Sequence, residues 1–401
     1  MSSRRIGKTV WGITLTYFFQ AAFVRSYVLL PSYMAANGIS DPSLIGWLIG
    51  CFYLSTFARP FVGWFMDRVG SRRVLILSGA VSVLGAAGLA FTKPSSITAL
   101  IVWRIIAGGA FSFFGVSLTA YQSVAVPADE RGAGFSVVTA AAGLPYLLVV
   151  PFCELLIAGG FLRVYMLVPL FFALGSCIGG FCLPRADTPV VTSEIQSGNN
   201  RLIMANPEVL MLFLSIVLFC AVDACMLSIA ALGREKEIPV SGFLAASAVT
   251  TALVRFFGRS LIDRMPRIRT AWMSGVVAAT FMGLSAVPLV SGVVGFEVCG
   301  AMYGIFIGLG YPTILALIGD IAPLEQCNRV TALFWFFMGL SYMGIPVIIG
   351  NLANLVRYSG AFLLLNLVLA PLIAALGLRW ERMPSRLFRE GLSDGASPGP
   401  C

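Results

Sequence analysis

Stretches of roughly 20 apolar residues recur about twelve times along this chain with only short connections between them, and that recurrence restricts its fold more than any other feature. At 1.5 Å of rise per residue, such a run spans the ~30 Å hydrocarbon core of a bilayer as a helix. No water reaches that core, so each backbone must satisfy its own hydrogen bonds and helix is the expected form of every run. Only 11% of the 401 residues are charged, against about a quarter in soluble domains, and 58% are hydrophobic. A soluble globular domain is excluded, and the connections leave almost no room for one.

The net charge of +9 does not mark a nucleic-acid surface, because the basic residues form no single patch. They mark topology. With the N-terminus inside and the spans alternating, most of the 27 lysines and arginines fall in inner loops, at 4–8, 68–73, 131, 185, 201, 264–269, 329 and 379–389. Outer loops hold Lys93, Arg163, Arg234, Lys236 and Arg357. The inner excess puts both termini in the cytoplasm of a multi-pass inner-membrane protein. The first apolar run is too long for a signal peptide and is expected as a retained helix.

Nine cysteines without paired spacing, most of them in apolar runs, read as small buried hydrophobes. Histidine is absent, which removes histidine-based zinc sites and histidine proton relays and leaves carboxylates to carry protons. No metal and no cofactor is expected, and no nucleophile–base pair suggests an enzyme. The phosphate-binding pattern Gly-x4-Gly-Lys-(Ser/Thr) does not occur, so ATP is not the direct energy source.

In chain order the spans are expected at about 10–34, 43–65, 73–91, 97–119, 133–157 and 163–183, then about 207–232, 241–262, 270–288, 294–317, 330–352 and 360–380. The units are an N-terminal six-helix bundle at 1–184, a cytoplasmic linker at 185–206, a C-terminal six-helix bundle at 207–381 and a cytoplasmic tail at 382–401. The linker has the longest polar composition in the chain.

An internal repeat joins the two halves. Arg59, Asp67 and Arg68 recur 196 positions later as Arg255, Asp263 and Arg264. The same offset relates Gly108 to Gly304 and Pro127 to Pro323. Each half holds an even number of spans, so both enter the membrane from the same side and are related by an axis along its normal.

The turn after the second span reads Gly63-Trp64-Phe65-Met66-Asp67-Arg68-Val69-Gly70-Ser71-Arg72-Arg73. It resembles the loop signature of the major facilitator superfamily, Gly-x3-Asp-(Arg/Lys)-x-Gly-x-(Arg/Lys)-(Arg/Lys). Arg104-x3-Gly108 resembles that family's fourth-helix motif. The resemblance covers nearly the whole chain and implies an all-α membrane fold of 12 transmembrane helices, built as two parallel-repeat six-helix bundles. It departs at Gly143-Leu144-Pro145, which lacks the Gly-Pro-x-x-Gly-Gly ending frequent in the family's exporters.

The resemblance implies a secondary transporter working by alternating access, with helices one, four, seven and ten lining a central cavity. Arg25, Arg104 and Asp223 are charges within apolar runs, which cost at least ~2.5–3.5 kcal/mol each and are functional candidates by default. Arginine's planar fork suits carboxylate. The expected cargo is therefore a small organic anion, bound by Arg25 and Arg104, with Asp223 pairing Arg25 or carrying a proton in symport. Tyr17, Gln20 and Tyr303 are added as hydrogen-bonding partners. The alternatives are efflux of hydrophobic drugs and a non-transporting sensor. Glu154 and Glu297 lie near outer helix ends, as solvated rim groups or proton carriers.

Gating is assigned through the same resemblance to Gly63, Asp67, Arg68, Gly70, Arg72 and Arg73, to the second copy Asp263 and Arg264, and to Glu130 and Arg131. Expected partners are the small molecule, a proton and the bilayer, with no nucleic acid, in a monomer.

Overall fold

The computed structural model describes residues 7–126, 137–138, 141–184, 206–257, 265–288, 290, 292–321 and 327–383. Linker residues 185–205, the tail beyond 383, Glu130, Arg131, Asp263 and Arg264 lie outside the described residues, as do the side chain of Asp67 and the surroundings of Gly63.

Among the described residues every regular element is helical. The elements are α1 (Lys8–Ser26), α2 (Leu30–Ala36), α3 (Pro42–Gly50), α4 (Arg59–Val69), α5 (Ser71–Phe91), α6 (Ile97–Ala125), α7 (Leu144–Ala158), α8 (Leu162–Cys182), α9 (Pro207–Ala224), α10 (Ile229–Glu235), α11 (Ser241–Phe257), α12 (Arg267–Leu284), α13 (Val293–Ile321) and α14 (Cys327–Glu381). Tight 3-10 turns at Tyr27–Leu29, Cys51–Ala58 and Cys225–Ser228 join α1 to α2, α3 to α4 and α9 to α10.

Among the described residues seven stretches are long and apolar enough to cross a membrane, the last running 52 residues from Val330 to Glu381. That run is broken at Val356 and Arg357, whose backbones leave the helical region. Shorter apolar helices lie at Pro42–Ala58, Leu144–Ala158 and Ser241–Phe257. Large apolar side chains such as Phe91, Val294 and Phe256 stand exposed, as a lipid-facing surface requires.

Local chemistry sets the helix ends. Asp41 accepts a hydrogen bond from the Ser43 N–H at 3.0 Å, and Asn206 does the same for Glu208, each ahead of a proline in the first helical turn. Gly70 turns α4 into α5 with φ of 89°, a conformation that suits glycine. This is the tight reversal expected there.

Most helix packing stays within one half of the chain. In the first half α5 packs on α6 and α8, and α1 on α8; in the second, α13 packs on α11 and α12, and α14 on α9 and α12. The repeat-related glycines do equivalent work: Gly108 seats α6 on the main chain of Phe52, and Gly304 seats α13 on the main chain of Ser247.

The halves meet chiefly where α3 and the 3-10 turn Cys51–Ala58 cross α14 and where α7 crosses α11. The α3–α14 and α7–α11 crossings are tight at the end carrying the turns 37–41, 92–96, 159–161 and 236–240, which the charge pattern assigns to the outside. There a Cβ added to Gly46 would strike the Pro346 carbonyl, and one added to Gly350 would strike that of Pro42. Ser43 donates to Asn351 Oδ1 at 2.7 Å and accepts from Asn354 Nδ2 at 2.6 Å.

Gly350→Leu is expected to force α14 away from α3 and open the outer end. Thiol labelling of a cysteine introduced at position 43 in a cysteine-free background should rise at least about tenfold in rate, a shift of about 1.4 kcal/mol toward the open form. An unchanged rate would show that this contact does not close the outer end.

Candidate functional site

Arg25 and Asp223 occupy equivalent places in the two halves, each two residues before a 3-10 turn. Such tightened turns inside longer helices often mark functional hinges. Both side chains are half-buried. They form no ion pair with each other; among the described residues ion pairs join Arg267 to Asp320, Arg269 to Glu381 and Arg357 to Glu235.

Asp223 is held instead by two tyrosines. Tyr303 of α13 donates its hydroxyl to Oδ1 and Tyr342 of α14 donates to Oδ2. Tyr342 also stacks on Tyr53 from the first half, with ring centroids 5.2 Å apart and planes at 27°. Arg25 lies over an aromatic face, its guanidinium carbon 4.7 Å from the Tyr146 centroid.

Magnitudes separate the two charges. Hydrogen bonds to a charged group contribute about 1.5–3 kcal/mol each, so the tyrosine pair offsets much of the cost of placing Asp223 within the membrane. A cation–π contact contributes about 0.5–2 kcal/mol, which leaves Arg25 the less compensated group. It therefore gains most from an incoming anion.

Arg25 lines a cavity of about 20 Å³ with Tyr27, Phe52, Tyr53, Arg104 and, from the second half, Leu227. That volume admits about one water-sized group. Arg104 donates through Nε to the Leu48 carbonyl at 3.0 Å, and its guanidinium carbon lies 5.0 Å from the Tyr27 centroid and 4.7 Å from that of Phe52. These contacts clamp α6 to the second span, so Arg104 packs helices while bordering the cavity. The buried Tyr27 hydroxyl has no hydrogen-bond partner in the protein.

Other expected site residues are placed differently. Gln20 is fully buried; its amide donates to Ser82 at 3.2 Å and accepts from Ser176 at 2.8 Å, tying α1 to α5 and α8 instead of meeting a ligand. Tyr17 packs beside the separate apolar cluster around Ile13, Leu75 and Phe114. Tyr303 reaches the central charge, but through Asp223.

Glu154 is not a free rim group. Its carboxylate accepts from the Val240 N–H at 2.7 Å and the Ser241 N–H at 3.1 Å, so a first-half acid caps the second-half helix α11. The positive end of the helix dipole favours that position. Glu297 lies against Gly242 in the same first turn. In the adjoining loop Lys236 donates to the carbonyls of Ser285, Val287 and Val290 at 2.7, 2.9 and 3.0 Å, and burial lowers its pKa from the usual lysine value.

At the opposite end Arg72 donates to the carbonyls of Phe181 and Leu183, capping the negative C-terminal end of α8. It thus ties the start of α5 to the end of α8. Arg68 and Arg73 are exposed. The repeat pair Arg59 and Arg255 lie over Trp335 and Tyr311, at 5.7 and 5.8 Å.

Tyr27, Tyr53, Tyr146 and Tyr342 were not among the residues the sequence singled out. The available signal is their depth: tyrosine gathers at membrane interfaces, so tyrosines inside apolar runs stand out of place.

Comparison with known proteins follows the same lines. The sequence profile described as Major Facilitator Superfamily matches residues 10–346. The staphylopine export protein of Staphylococcus aureus is 23% identical over 348 residues, covering 78% of this chain and 84% of that protein. Multidrug resistance protein 2 of Bacillus subtilis is 26% identical over 170 residues, 41% of this chain and 40% of that one. Among solved structures, a mutant of the nucleoside transporter NupG superposes with a TM-score of 0.77 at 13% identity, covering 94% of this chain and all of that one.

Two substitutions test the geometry. Tyr342→Phe removes one donor to Asp223 and is expected to cost about 1.5–3 kcal/mol in unfolding of the purified protein. Tyr358→Phe removes a buried hydroxyl that has no partner and should cost nothing; equal effects would count against the clamp. Separately, Glu154→Ala strips a helix cap worth about 1 kcal/mol, and amide exchange at Val240 and Ser241 should quicken about fivefold.

Proposed function

The chain belongs to the Major Facilitator Superfamily, and we propose that it is a secondary transporter that exports small carboxylate-bearing compounds by alternating access. In this reading 12 transmembrane helices form two six-helix bundles, residues 1–184 and 207–381, with both termini in the cytoplasm of the inner membrane. The equivalent 3-10 turns, the paired glycines and the concentration of packing within each half support it.

One observation carries the cargo assignment. Arg25, within the first span, has no carboxylate within ion-pair distance among the described residues and borders a cavity that Leu227 of the second half also lines. A carboxylate arriving there meets a planar fork of donors in a low-dielectric site, where ion pairing is strong. In this reading the cavity of about 20 Å³ admits a water-sized group, and the contacts of α3 with α14 and of α7 with α11 close the outer end. Separation of α3 from α14 and of α7 from α11 opens that end, and the bundles rock around Arg25 and Asp223.

The names of the two relatives, an export protein and a multidrug resistance protein, favour outward movement. Inward proton flow then drives antiport, not the symport the sequence suggested. Asp223 is the proton carrier in this scheme: a protonated carboxyl has fewer acceptor positions for its two tyrosines, so the clamp loosens as the proton binds. Efflux of hydrophobic drugs is the second reading, favoured by the tyrosines around the central charges.

Proteoliposomes loaded with a panel of organic anions, cations and neutral compounds separate these readings. Anions should leave faster under an inward proton gradient, and Arg25→Ala should slow them at least about tenfold. Movement of cations or neutral compounds that Arg25→Ala leaves untouched would overturn the anion reading.

A further inference from the structure

We infer that the cargo is a zwitterion, a compact amino-carboxylate whose carboxylate seats against Arg25 while its protonated amine seats against Asp223. The inference rests on the transport reading above and narrows its cargo.

Charge balance comes first. Arg25 and Asp223 stand at equivalent positions of the two halves and do not pair with each other. A simple anion neutralises Arg25 but adds a second negative charge near Asp223, where low dielectric makes repulsion costly. A molecule with charges of both signs matches both residues.

Hydrogen-bonding capacity agrees. An ionised carboxylate offers about four lone-pair positions, and the hydroxyls of Tyr303 and Tyr342 occupy two. The remaining positions can accept from an ammonium group while the tyrosines stay in place. At the other pole Arg25 lies 4.7 Å from the Tyr146 centroid and has no carboxylate within ion-pair distance among the described residues, so its planar fork is left to take one.

The layout suits a short molecule. Tyr53 borders the Arg25 cavity and stacks at 5.2 Å on Tyr342, which holds Asp223, so one tyrosine pair separates the poles.

The test uses the full-length protein in detergent and follows thermal stabilisation by glutamate, leucine and phenylalanine, each beside its N-acetyl derivative and its methyl ester. Free amino acids should bind at least about tenfold more tightly than either blocked form. Asp223→Asn should remove that preference yet keep weak binding of the N-acetyl forms, Asp223→Glu should restore part of it, and Arg25→Ala should remove both.

If the N-acetyl forms bind best and Asp223→Asn changes nothing, the zwitterion inference falls while the anion reading stands. Preference for the esters overturns both. Binding by no member of the set overturns the amino-carboxylate assignment, leaving the anion reading to the transport panel.

Discussion

Helices already in a bilayer gain little by hiding apolar surface from lipid, so contact between them depends on close packing and on polar groups that would otherwise go unsatisfied. The rest of this structure follows from that constraint. Gly46 and Gly350 let two main chains meet at the outer end, and Gly108 and Gly304 repeat the device within each half. Polar side chains then fasten what the small residues bring near: Gln20 ties α1 to Ser82 and Ser176, and Glu154 holds the start of α11. The same low dielectric makes Arg25 and Asp223 conspicuous, since a charge is retained there only with compensation.

Compensation is uneven in a way that fits transport. Asp223 is engaged by two hydroxyls, Arg104 by a carbonyl and two aromatic rings, and Arg25 by one ring. The ordering separates positions settled in the resting protein from one that gains by binding. It also distinguishes two arginines that look alike in the sequence, each a lone charge within an apolar run.

The fold was legible because its determinants are local or periodic. Run length announces the spans, Asp41-Pro42 and Asn206-Pro207 announce helix starts, Gly70 announces a reversal, and the 196-residue offset announces the repeat. Rarity exposed the central charges, for the same energetic reason. Their partners were hidden because they come from distant spans: Tyr342 meets Asp223 across 119 positions, and Tyr53 meets Tyr342 across the two halves. The caps made by Glu154 and Arg72 were hidden for a related reason. A charge near a helix end looks like a solvated group until the neighbouring helix terminus that it caps is known.

The double engagement of Tyr342 sets a limit on how far the central site can govern the whole molecule. An offset-stacked aromatic pair contributes about 0.5–1.5 kcal/mol, so losing the Tyr53 contact shifts a two-state equilibrium only about two- to thirteenfold. Moving the population from 1:99 to 99:1 takes about 5.5 kcal/mol. One stacked pair cannot throw that switch alone. In the proposed cycle the clasps at Glu154 and Ser43 yield in the same step, which makes opening a concerted event spread over the interface and gives cargo at the centre a deciding vote only when the remaining contacts are nearly balanced.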